Sequence, residues 1–198
     1  AVNVAASFQS RIGLTGIVLI SFSAIFVRLA DVSPTTAAFY RATYALPVLF
    51  IAARFMRDDR TRRERLLALG AGVLFAADLT LWHTSIEYIG AGLSTVVANS
   101  QVLWVGLLAW MLLGEKPRKA AFVVVPIALV GIALIGGLGR DDAYGENPML
   151  GVIFALLAGI SYSLFLLVYR AANKRMGPPA GPLLDTTAGG ALTMLLIS

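Results

Sequence analysis

STVVANSQVLWVGLLAWMLLGEKP, residues 94–117, begins with twenty residues that carry no charge and closes on a turn signal. A helix needs about 20 mostly apolar residues to cross the hydrocarbon core of a bilayer, and residues 94–113 supply them. Gly114 and Pro117 then punctuate the chain. The same pattern of block and turn runs along the whole sequence. Apolar blocks fall at 13–29, 34–55, 66–88, 91–113, 120–138 and 149–169, and a seventh opens near Pro182 and is still apolar at Ser198. Between them stand SP at 33–34, GAG at 90–92, GEKP at 114–117, GENP at 145–148 and GPPAGP at 177–182. Half-exposed elements of a soluble domain alternate with period 2 or 3.6; these blocks do not. With 58% hydrophobic and 14% charged residues, the sequence predicts an all-α integral membrane protein, a polytopic helix bundle. The chain opens on Ala1 and ends inside an apolar block, so we read its ends as those of a fragment or a processed chain. Residues 1–10 are too polar for the core of a signal peptide, and none is expected.

Basic residues set the expected orientation. If the first helix runs from inside to outside, 13 of the 16 Lys and Arg fall inside, in the segments around Arg11, Arg54–Arg65, Lys116–Lys119 and Arg170–Arg175. Arg28 and Arg140 fall outside, and Arg41 lies within a span. Loops rich in Lys and Arg stay on the cytoplasmic side, so the reading is a multi-pass protein of the plasma (inner) membrane with a cytoplasmic N-terminus. The net charge of +5 is then a consequence of topology. RDDRTRRER reads as a solvated cytoplasmic loop, not a nucleic-acid surface, because no basic domain accompanies it.

Most site chemistries lack their residues. There is no cysteine, and His83 is the only histidine, so neither a thiolate site nor a two-histidine metal site can form. GGLG at 136–139 lacks the Lys-Ser/Thr of a phosphate loop, and GRDDAYGENP lacks the spacing of a calcium loop. No nucleophile elbow appears, and the carboxylates are scattered over different helices. Neither an enzyme, a cofactor nor a metal is expected.

The run at 94–117 resembles the fourth-helix signature of EamA-type carriers of the drug/metabolite transporter superfamily, in which an apolar stretch is closed by L-G-E, here Leu113, Gly114 and Glu115. An arginine seven residues after a proline in the second helix is also common in these carriers, and Pro34 and Arg41 fit. IEYIGAGLS at 86–94 looks similar as well, whereas Val102 stands where many members carry a proline. The resemblance implies ten helices in two five-helix halves of opposite topology. On that plan residues 1–12 are a cytoplasmic segment, 13–138 the first repeat, 139–148 an external loop and 149–198 the start of the second repeat. About six and a half of the ten helices are then present. The sixth would run opposite to the first, as an inverted repeat requires.

Helical rise gives the polar residues a common depth. Arg41 lies about 10 Å below the outer end of its helix, Asp78 about 18 Å up from Leu66, and Asn99 and Gln101 about 12–15 Å in from outside. Ser21, Ser23, Ser161, Tyr162 and Ser163 fall near the midplane too. Unpaired charges at that depth cost several kcal/mol, about 3 for an arginine on insertion scales, so Arg41 and Asp78 should face one another or water. They read either as a structural ion pair or as groups for substrate and coupling. Tyr40 and Tyr44 could stack on Arg41 or fill space. Ala38, Arg41, Ala45 and Ala52 share one side of the second helix. Ala68, Gly72, Ala76 and Thr80 form a small-residue seam on the third, while Asp78, Trp82 and Ser85 point the other way, so that helix must be covered on both sides. On the fourth helix Gly92, Thr95, Asn99 and Gly106 read as packing, and Ser94, Gln101 and Trp104 as cavity lining. Asn99 is read as an interhelical hydrogen bond. The tryptophans are read as core or interfacial anchors. His83 and Glu87, four residues apart, are placed near the outer surface in a solvated or interfacial role, and Asp185 is expected to cap the seventh helix.

The candidate substrate site is therefore Arg41, Tyr44, Gln101, Trp104, Ser23 and Tyr162, with Asp78, His83 and Glu87 as coupling or ion-pair groups. The resemblance implies a permease or exporter of small organic metabolites, working by alternating access and driven by an ion gradient or exchange. Its partners would be a small-molecule solute and the bilayer, with no nucleic acid and with a homodimer left open. A non-transporting membrane scaffold or assembly subunit is the alternative.

Overall fold

The computed structural model describes residues 32–56, 58–116, 119–135, 147–173 and 178–197, together with scattered positions between 14 and 29. Among the described residues every regular element is an α-helix: α1 (Pro34–Arg54), α2 (Arg62–Ala98), α3 (Gln101–Leu113), α4 (Ala121–Ile135), α5 (Pro148–Ala172) and α6 (Ala180–Ile197). Most of the expected first span, Ser21 and Ser23 included, and the loop at 139–146 lie outside the described residues. Among the described residues four helices are long and apolar enough to cross a membrane: α1, α2, α5 and α6.

Local chemistry sets the starts of these helices. Ser33 Oγ accepts the amide of Thr36 at 3.2 Å ahead of Pro34, whose missing N–H costs nothing in a first turn. Thr61 and Glu64 form a reciprocal capping box at the start of α2. Asn147 Oδ1 takes the Leu150 amide ahead of α5, again before a proline.

The decisive turn is Gly90. Its φ of 78° and ψ of 162° break the helical path inside α2, a conformation that a side chain would oppose. Twelve further residues of straight helix would separate Trp82 from Ser94 by about 18 Å, yet Ser94 Oγ donates to Trp82 O at 3.3 Å. The chain doubles back at Gly90, where the sequence places its GAG turn. The expected fourth helix is the returning arm plus α3, interrupted at Asn99 and Ser100. Both keep right-handed angles with ψ near zero, so this is a tightened turn.

α2 is the centre of the bundle. On one side, Gly72 of α2 lies so close to Gly189, Gly190 and the Thr186 carbonyl of α6 that a Cβ would strike backbone. Thr186 Oγ1 donates to Ala68 O at 3.1 Å. α1 joins this side, where Ala38, Ala42, Ala76, Leu79, Ala191 and Met194 form a buried cluster. On the other side lies α5: Ser85 Oγ donates to Gly151 O at 2.8 Å, and the Phe75 and Phe165 rings lie 5.5 Å apart. α5 thus runs antiparallel to the first arm of α2 and alongside the returning arm, where Ser163 Oγ reaches Gln101 O at 3.1 Å. The two-sided cover expected of this helix is what the structure shows.

Two expectations about faces are overturned. On the returning arm Gly92, Asn99 and Gly106 are exposed, and Ser94, Val97 and Ser100 are buried. The face expected to pack and the face expected to line a cavity are exchanged, because α5 settles on the Ser94 side. Asn99 does not bridge helices: its Nδ2 donates to Thr95 O, one turn back. On α1 the buried small residues are Ala38 and Ala42, not the whole row of Ala38, Arg41, Ala45 and Ala52.

Candidate functional site

Arg41 on α1 faces the Asp78–Trp82 side of α2. Its guanidinium carbon stands 5.6 Å from the centre of the Trp82 ring, a cation–π contact worth about 0.5–2 kcal/mol. Asp78, one turn before Trp82, is within electrostatic reach of Arg41, as is Tyr162 of α5. No ion pair within 4.0 Å joins Arg41 to Asp78 among the described residues. All four side chains are partly, not fully, buried. The cluster therefore keeps an opposite charge on each side and an aromatic wall, and its charges are not quenched by direct contact.

Gln101 lies at the same level. Ser163, next to Tyr162 on α5, donates to the Gln101 carbonyl, which sets the start of α3 beside the Tyr162 turn of α5. Trp104 points its Nε1 at Ser100 Oγ, 3.1 Å away, which ties it within its own turn.

Other expected residues fall elsewhere. Tyr44 is 72% exposed and stacks on Tyr40 at 5.6 Å, so the aromatic partner of Arg41 is Trp82. His83 is 1% exposed, not near the surface: the fold-back at Gly90 and the cover of α5 enclose its arm, and its ring lies 5.0 Å from Trp82. Glu87 is exposed. Asp185 does not cap α6, which begins at Ala180; it accepts Arg60 Nη2 at 2.8 Å.

A second charged cluster lies at the basic end of the bundle. Arg60 Nε and Nη2 hold the two oxygens of Asp58 at 2.9 Å, and Nη2 also serves Asp185. The Arg60 hydrogen bond holds the Asp58 carboxyl below the usual carboxylate range. Burial draws the Arg60 guanidinium down, but Asp58 and Asp185 together raise it. Nearby, Arg170 of α5 makes a forked pair with Glu115, the last residue of the L-G-E run. Gly114 supplies the left-handed C-cap (φ 70°) that turns the chain there, and Arg170 holds the Glu115 carboxyl below its usual range. Asp185 is 125 residues from Arg60 and Glu115 is 55 from Arg170, so spacing alone gave no signal for either contact.

With this geometry in view, the comparison with known families is specific. The profile of the EamA-like transporter family matches residues 11–137. The chain belongs to the EamA-like transporter family. It is similar to the uncharacterized transporter YwfM of Bacillus subtilis, 31% identical over 111 residues, which are 56% of this chain and 36% of that protein. A similar stretch of the uncharacterized transporter sll1319 of Synechocystis is 27% identical, covering 56% of this chain and 33% of the relative. An uncharacterized transporter of Archaeoglobus fulgidus is 24% identical over 75% of this chain and 52% of its own length. The chain thus matches about a third to a half of each relative. No solved structure matches it. Family and relatives make this a multi-pass membrane protein of a transporter family.

Proposed function

We propose that this EamA-family chain carries the solute site of a permease that exports small organic metabolites by alternating access. The observation behind this reading is the layer in which Arg41, Asp78, Trp82 and Tyr162 meet between α1, α2 and α5. A pair of opposite charges inside a membrane bundle is costly unless it pairs or serves a path. Here direct pairing is incomplete, so each charge keeps capacity for a ligand. Arg41 would take an anionic group such as a carboxylate. Asp78 would balance that charge or carry a coupling proton, and an ion gradient or exchange would drive the cycle. Two inverted five-helix halves would rock about this layer, with the full-length protein supplying the helices that complete it, in the plasma membrane.

The test is flux. Full-length protein in liposomes loaded with a mixture of small metabolites should release a subset of them saturably. Arg41→Leu should abolish that release when equal amounts of inserted protein are compared. Release of no solute by the unaltered protein, or unchanged release by Arg41→Leu, would overturn the reading.

A further inference from the structure

Ion pairs join the family-matched segment to the helices after it at only one end of the described bundle. There Arg60, in the α1–α2 loop, reaches Asp185 of α6, and Glu115 meets Arg170 of α5. At the opposite end α5 meets α2 through Gly151, packed on Tyr88 and Ile89, and through the neutral Ser85 hydrogen bond. The two ends therefore differ in kind. An apolar seam loses its stabilisation when it opens to water, whereas charged hydrogen bonds at the boundary exchange protein partners for water at a small net cost.

Arg60 is built for such an exchange. Its side chain is 8% exposed and lies against the start of α6, where a side chain in place of Gly181 would meet Nη2 at 2.9 Å. Its Nη1 is buried without a hydrogen-bond partner. The closed contact leaves one donor unsatisfied, and separation into water would satisfy it. Arg170 and Glu115 are both well exposed, and surface pairs of that kind add little. The weight falls on Arg60. Resting on the carrier reading above, we propose that Arg60–Asp185 is the latch that closes this end of the solute path and parts each time the path opens there.

The test uses a reporter behind the latch and needs no substrate. Thr187 is buried on α6, and this 198-residue sequence contains no cysteine. In full-length protein freed of any other cysteines, Thr187→Cys is labelled with a water-soluble maleimide in vesicles permeable to the reagent from both faces. Only monodisperse protein is scored. Arg60→Leu and Asp185→Asn should each raise the labelling rate about tenfold, while Arg63→Leu, at an exposed arginine of the same end, should not. If Arg60→Leu does not accumulate, Arg60→Lys, which keeps the charge but loses the fork, should give a smaller rise. Unchanged labelling in the Arg60 and Asp185 variants, or an equal rise in Arg63→Leu, overturns the latch. Loss of the carrier reading would show separately, as absent flux.

Discussion

Arg41 lies in the bundle against a ring of α2 and within electrostatic reach of a carboxylate one turn away, Trp82 and Asp78. Their i/i+4 spacing was legible in the sequence. That Trp82, not Tyr44, would cover the guanidinium was not legible, since either helix could have turned an aromatic towards it. At the basic end a single residue, Arg60, gathers two carboxylates, and this gives a pH dependence. Asp58 has its folded value lowered by Arg60. Its contribution is therefore fully present above the unfolded carboxylate value, about 4, and is lost as pH falls through the lower folded value. Asp58→Asn should lower the melting temperature in detergent at pH 7, and the gap to the unaltered protein should close as the pH falls below about 4. A gap of constant size down to about pH 2.5 would contradict the assignment.

The pairing of elements turns on α2. The seam Ala68–Gly72–Ala76 was legible because small residues recur on one face, and α6 answers it with Gly189 and Gly190. Gly72→Leu should destabilise the bundle by about 3 kcal/mol or more, since backbone must move to admit it. Gly70, two residues away and open to space, is the control: Gly70→Ala should be neutral or stabilise by up to about 1 kcal/mol through helix propensity. Thermal unfolding of the two variants in one detergent decides this, and equal effects would refute the close approach. The face of the returning arm could not be read in the same way. Ser94 and Thr95 are adjacent, both faces carry small or polar residues, and only the arrival of α5 decides which is buried. The Arg60–Asp185 contact was out of reach for another reason. Its partners are 125 residues apart, and Arg60 is one of several arginines in RDDRTRRER.

For the molecule as a whole, the directions of α1, α2, α5 and α6 gather Arg54, Arg60, Arg62, Arg63, Arg65 and Arg170 at one end, which is the asymmetry that the positive-inside rule reads. A single cysteine replacing Asp59 should react with a membrane-impermeant thiol reagent only in opened cells, and one replacing Asp142 should react in intact spheroplasts; the reverse pattern would invert the proposed orientation. On the proposed function, Arg41 serves a solute and is not only a tie between helices. The most direct measurement is a cycle of Arg41→Leu, Asp78→Leu and the double variant, each scored for membrane yield and for flux in liposomes. Removing one charge leaves the other stranded inside the bundle, so each single change should lower yield and the double should regain part of it. Flux should stay lost in the double variant despite the recovered yield. Recovery of flux along with yield would show that the pair only holds helices together.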